Sequence, residues 1–214
     1  MLQGNLRPLL KRLAVLSAFC VVIEIFRIFF VISLNYIFLP WNLLLAWIPV
    51  TFAIQASGEK STWKFLAWLS AWLIFFPNAP YIMTDFLHLK PRDNFPFWYD
   101  SMLIYSFAFT GLMLGIVSAL IIYKKLKTLL PAFAARGFLF LVMITSGYGI
   151  YVGRFLRYNS WDLITNPFAF FTDTALRLIH PTSYPRTYGV SLMAGVLLCL
   201  VFSVFESFTL KEEL

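Results

Sequence analysis

Residues 63–89 read WKFLAWLSAWLIFFPNAPYIMTDFLHL, an apolar run that ends in two prolines, an aspartate and a histidine. From Trp63 to about Met83 the run is long enough to cross a bilayer, which takes about 20 apolar residues. Pro77 and Pro80 interrupt it. Each proline removes a backbone donor and leaves a carbonyl that must find another partner, a defect tolerated in a membrane only where protein or water receives it. Asn78 is a local candidate for that partner. Thr84 is placed to cap a short helix over 85–89, and Asp85 and His88, three apart, share one face of it.

The rest of the chain repeats the apolar signal. Of 214 residues, 60% are hydrophobic and 13% charged, and the mean hydropathy is +0.78. A water-soluble domain carries roughly a quarter charged residues, so lipid has to be the main solvent. The expected fold is an all-α integral membrane bundle. Its six spans are expected at about 13–34, 38–54, 63–83, 100–123, 132–152 and 189–208, all in one domain. A net charge of +7 raises the question of nucleic acid. The basic residues, however, stand in short clusters beside apolar runs, the pattern of orientation signals and lipid-headgroup contacts, so nucleic acid is excluded as a partner and membrane lipids are expected. Cys20 and Cys199 lie inside apolar runs and offer no disulfide framework. Arg7, Lys11 and Arg12 ahead of Leu13 imitate a signal peptide, but the following run is too long for an h-region and is read as an uncleaved span. The larger share of Lys and Arg falls on the N-terminal side of this topology, which places both termini in the cytoplasm.

Polar residues inside the spans narrow the search for a site. Glu24 and Arg27 lie near the middle of the first span, where a lone charge costs at least a few kcal/mol. Their i,i+3 spacing lets them pair on one helix face, either as a packing device or as an intramembrane relay. Pro49 predicts a kink in the second span; Asn35, Tyr36, Trp41 and Asn42 before it read as interface residues without a chemical role. Gly111 and Gly115, and Gly149 and Gly153, have the spacing that lets helix backbones approach closely, within the bundle or between copies. Beyond the fifth span, Asn166 and Pro167 start an amphipathic segment over about 167–179, too short to span and read as an interfacial or re-entrant helix, with Asp173 and Arg177 paired along it.

Two polar segments then fall on the same, outer side. One carries Asn78, Asp85 and His88, with Asp100 shortly after; the other carries Arg154, Arg157, Asn159, Asp162 and His180. Three chemistries suit the set. Asp85, His88, Asp162 and His180 could hold a divalent metal. Arg154 and Arg157, with Asn159 and Asn78, could bind a phosphate-bearing or anionic headgroup while His88, oriented by Asp85, transfers protons. The interrupted third span could mark a transport path for a small solute. Against these stands a structural or accessory component whose polar residues tie loops together. Serine-nucleophile motifs, a phosphate-binding loop and a dinucleotide fingerprint are absent from the sequence.

FFPNAPYIMTDFLHL at 75–89, FWYD at 97–100 and GRFLRYNSWD at 153–162 together resemble a family of bacterial membrane proteins known as domain of unknown function 1361. The resemblance implies a polytopic protein of the bacterial cytoplasmic membrane over nearly the whole chain. It supplies no catalytic residue.

Overall fold

A computed structural model describes residues 2–91, 95–158 and 162–211. Helices α1 (Leu2–Val31) and α2 (Phe38–Gly58) come first. The third span is segmented into α3 (Thr62–Phe75), α4 (Asn78–Tyr81) and a 3-10 helix over Ile82–His88. Then follow α5 (Phe97–Lys127), α6 (Ala132–Tyr151), a π-helical turn over Val152–Leu156, the short α7 (Asp162–Thr165), α8 (Pro167–Ile179) and α9 (Pro185–Lys211). Six of these stretches, Leu6–Val31, Phe38–Gly58, Thr62–His88, Phe97–Lys127, Ala132–Leu156 and Pro185–Phe208, are long and apolar enough to cross a membrane. The fold is a polytopic membrane helix bundle without strands among the described residues. In lipid every backbone donor and acceptor must be met within the protein, and helices do this span by span.

The bundle is organised around α5. In its most apolar window 61% of residues are buried, against 17% in α1 and in α9, so α5 is the core and those two face lipid. Asp100 in its first turn and Lys124, Lys125 and Lys127 in its last complement the helix dipole at both ends. On one side α5 packs against α2, the segmented third span and α1; on the other it meets the pair α6 and α9.

That pair is held by close backbone approach. A methyl group on Gly147 would fall 2.0 Å from the Ser191 carbonyl oxygen, and one on Gly195 would fall 2.7 Å from the Ile144 Cα. At the far end the Arg136 guanidinium donates twice to Glu206 Oε1, at 2.8 and 3.1 Å. α1 is fastened by polar contacts instead. Trp47 Nε1–H donates to Ser17 Oγ at 3.1 Å, Tyr99 O–H donates to the Ile23 carbonyl at 2.8 Å, and Cys20 Sγ lies 3.3 Å from Thr110 Oγ1.

Several expectations are revised. The helix α1 runs to Val31, with Glu24 and Arg27 in its last third. Arg27 is only about 6 Å of helix rise from that end. Arg27 does not pair with Glu24. It binds Asp100 of α5, with Nε to Oδ1 at 2.6 Å and Nη2 to Oδ2 at 3.2 Å, because a planar guanidinium fork matches a carboxylate presented across the helix interface. Thr84 caps no helix: its hydroxyl donates back to the Tyr81 carbonyl at 2.7 Å inside the 3-10 turn. Pro167 does start α8, and Asn166 occupies the cap position without a side-chain cap bond.

Gly111, Gly115, Gly149 and Gly153 are each engaged by contacts within the chain. They line a notch within the chain that receives the broken span. Added methyl groups would meet the Ala79 carbonyl oxygen at 2.6 Å from Gly111, the Ala79 Cβ at 3.3 Å from Gly115, the Pro77 ring at 2.9 Å from Gly149 and the Tyr81 ring at 3.0 Å from Gly153. The irregular segment lacks a full side-chain ridge, so glycines opposite let its backbone come in.

Candidate functional site

The break at Pro77 is local. Phe76 N–H still bonds the Trp72 carbonyl at 2.7 Å, Ala79 N–H takes the Phe76 carbonyl at 3.2 Å, and Tyr81 N–H takes the Pro77 carbonyl at 3.0 Å. The chain therefore turns without unwinding, then tightens into the 3-10 helix. That tightening brings Tyr81, Thr84, Asp85 and His88 toward the π-helical turn after α6, which carries Arg154. The two polar segments expected to share a side of the membrane do meet.

Arg154 is the centre of the meeting. Its Nε–H donates to Thr84 Oγ1 at 2.7 Å, one Nη2–H to Asp85 Oδ1, and Nη1 lies 3.1 Å from His88 Nδ1. A guanidinium can only donate, so the His88 nitrogen facing it must be the acceptor. The ring of Tyr81 lies under the guanidinium, 4.6 Å from its carbon. Asp85 is closed on its other oxygen by Asn42 of α2, whose Nδ2–H donates to Oδ2 at 2.9 Å. Asp85 is fully buried and the Arg154 side chain is 9% exposed, so this is a sequestered ion pair that ties α2, the third span and α6 together.

The set differs in part from the one expected. The Asp85 carboxylate is 3.9 Å from His88 Nδ1, beyond hydrogen-bonding distance, and is held instead by Arg154 and Asn42. The metal candidates Asp85, His88, Asp162 and His180 do not converge: among the described residues no group of three or more His, Cys, Asp or Glu comes together. Asp162 accepts from the Thr165 hydroxyl at 3.3 Å, and His180 is exposed at the end of α8. Arg157 is exposed and has a left-handed backbone, φ 62°, at the end of the π turn, an uncommon conformation for a long side chain. Asn159 lies outside the described residues. Asn42 is the partner that sequence reasoning missed: its position next to the Trp41 interface anchor gave no signal of a buried carboxylate.

Beside this clamp lies a cavity of about 490 Å³. It opens between α2, the segmented third span and α6, and Phe170 of α8 closes part of its rim. Trp41, Leu45, Leu73 and Ile74 make an apolar wall; Asn42, Asn78, Tyr81, Tyr148 and Tyr158 add hydrogen-bonding groups, and no charged side chain lines it among the described residues.

The helix α8 lies over this end with no residue buried, its outer surface formed by Phe168, Phe171, Leu178 and Ile179. Tyrosines hold its polar side: Tyr148 O–H donates to Thr174 Oγ1 at 3.0 Å, Tyr158 O–H to Asp173 Oδ2 at 3.1 Å, and Tyr188 O–H to the Arg177 carbonyl at 2.9 Å. Partial desolvation, with the Asp173 charge adding to it, pushes the Tyr158 phenol above its ordinary pKa, which keeps it a donor. The expected ion pair on the helix is present, Arg177 Nη1 to Asp173 Oδ1 at 3.7 Å.

A family model described as "Protein of unknown function (DUF1361)" matches residues 41–201, about three quarters of the chain. The chain belongs to this family. The DUF1361 match begins in α2, so it takes in Asn42, Asp85, His88, Arg154 and the cavity while leaving α1, with Glu24 and Arg27, outside. No curated protein and no solved structure matches the chain.

Proposed function

We propose that this DUF1361 protein binds an amphipathic, lipid-like molecule at the end of the bundle that carries His88 and Arg154. The observation that carries the reading is the cavity, open at the protein surface and walled by apolar and aromatic side chains with a few convergent amides and phenols, the usual make-up of a small-molecule site. A chain of the ligand fits against Trp41, Leu45 and Leu73, and an uncharged polar part against Asn78, Tyr148 and Tyr158. Because no described residue of the lining is charged, an anionic headgroup belongs at the mouth, beside exposed Arg157, which follows the π turn directly and precedes Tyr158.

Arg154 then has a different role from the one its sequence suggests. Asp85 neutralises it and Tyr81 separates it from the cavity wall, so it positions that wall instead of holding the ligand's charge. The excess of Lys and Arg on the other side supports placing this end outside, with the termini in the cytoplasm of a bacterial cell.

The test is native mass spectrometry on protein released from lipid nanodiscs of mixed anionic and zwitterionic composition. Retained lipid is expected on the wild type and is lost in Thr145→Trp, which fills the cavity from its α6 wall. Arg157→Ala keeps the occupancy and loses the preference for anionic lipid. Equal retention by wild type and Thr145→Trp would show the cavity to be a packing gap and the polar cluster a structural tie.

A further inference from the structure

Away from the cavity, α1 holds a carboxyl group that the site above does not use. Glu24 is 1% exposed, and neither Oε1 nor Oε2 has a hydrogen-bond partner among the described residues. An ionised carboxylate in that condition is among the most costly groups a membrane protein can hold. The one cation on its face, Arg27, is fully buried and engaged twice by Asp100, and its Nη1 has no acceptor. Arg27 attracts Glu24 and Asp100 repels it, so the ion pair compensates the carboxylate only in part.

We propose that Glu24 is an intramembrane proton-binding site, holding a proton while Arg27 is bound to Asp100 and releasing it when the unused Nη1 of Arg27 turns to Glu24.

The groups around Glu24 and its neighbour Arg27 come from three directions. On α1 itself there is Arg27. From α5 come Asp100 and Tyr99, whose hydroxyl is already given to the Ile23 carbonyl. From the segments flanking α1 and α5 come the rings of Tyr36 and Phe95, 4.4 and 5.8 Å from the guanidinium carbon. A proton fits this setting and a metal ion does not. The proton neutralises the carboxyl in place, whereas a cation needs several oxygen ligands and would stand beside the guanidinium, and no metal-type cluster forms among the described residues. On release the proton passes to water and the trio becomes carboxylate, guanidinium, carboxylate, with one net negative charge shared across α1 and α5. The i,i+3 spacing of Glu24 and Arg27 makes that exchange a side-chain rotation with no movement of helices.

Dicyclohexylcarbodiimide, which modifies protonated carboxyls in apolar surroundings, tests this on the full chain in nanodiscs, with peptide mapping by mass spectrometry. The adduct is expected on Glu24 at about pH 6, falling about tenfold per pH unit above the midpoint of its titration, and absent in Glu24→Gln. Asp100→Asn releases the guanidinium to Glu24, so the adduct falls at every pH. Infrared difference spectra of wild type against Glu24→Gln need no folded Asp100 variant and should show a protonated-carboxyl band that disappears as pH rises. Labelling that is absent at low pH or independent of pH, or carboxylate bands throughout, overturns the proposal.

Discussion

Arg154 directs three of its five N–H groups at Thr84, Asp85 and His88 and lays its face on Tyr81, so a single side chain joins the third span to the turn after α6. Removing one member of such a buried pair strands the other charge and typically costs about 3–5 kcal/mol. Asp85→Ala and Arg154→Ala should each lower the unfolding midpoint of the purified protein strongly, and the double variant Asp85→Ala/Arg154→Ala should lose clearly less than the two added together. Additive losses in the thermal unfolding series would mean that the pair is not coupled. Arg154→Lys should resemble the alanine variant more than the wild type, because an ammonium cannot meet Thr84, Asp85 and His88 with one planar fork. Asn42→Leu should cost less, about 1–3 kcal/mol, since it leaves one carboxylate oxygen without its donor while the ion pair survives.

Among the helices, the two glycines of α6 that differ most in surroundings provide a direct comparison. Gly147 faces α9 so closely that any side chain collides with backbone, whereas nothing lies within 4 Å of the methyl group that Gly137→Ala would add. Gly147→Ala should push α6 and α9 apart and show as a large drop in thermal stability in detergent. Gly137→Ala should leave stability within about 1 kcal/mol, the range of helix propensity alone. Equal effects would argue against the close crossing. The third span shows the same principle from the other side: glycines on α5 and α6 admit a segment whose helix is interrupted, and the interruption moves Asp85 and His88 off the register of a straight helix and onto Arg154.

For the whole molecule, the end of the third span, the π turn and α8 gather at one end of the bundle, and the proposed orientation places that end outside. Ser183→Cys, in the turn between α8 and α9, should react with a membrane-impermeant maleimide on intact cells, and Glu59→Cys, in the turn between α2 and α3, only after the membrane is opened. The reverse pattern would invert the topology while leaving the internal contacts as described. Cys20 is buried and Cys199 partly so, which limits background labelling.

Six long apolar runs in a chain this poor in charge leave no soluble alternative, so the fold class and the number of helices long enough to span were legible from residue order alone. The amphipathic helix over Pro167–Ile179 was legible for the same reason, since its periodicity is local. The convergence of the Pro77–Leu89 segment with Arg154 was legible as a shared side of the membrane, but contact was not. Which acid each arginine would choose was decided by packing. Arg27 passes over Glu24, its neighbour on α1, for Asp100, 73 residues away, and Arg154 takes Asp85, 69 residues away. Asn42 and the glycines at 147 and 195 acquired their roles in the same way. Local periodicity belongs to the chain because it depends on residues three or four apart. Partner choice among buried charges depends on which helices lie side by side, and in this protein the glycine notches and the Pro77 break set that arrangement.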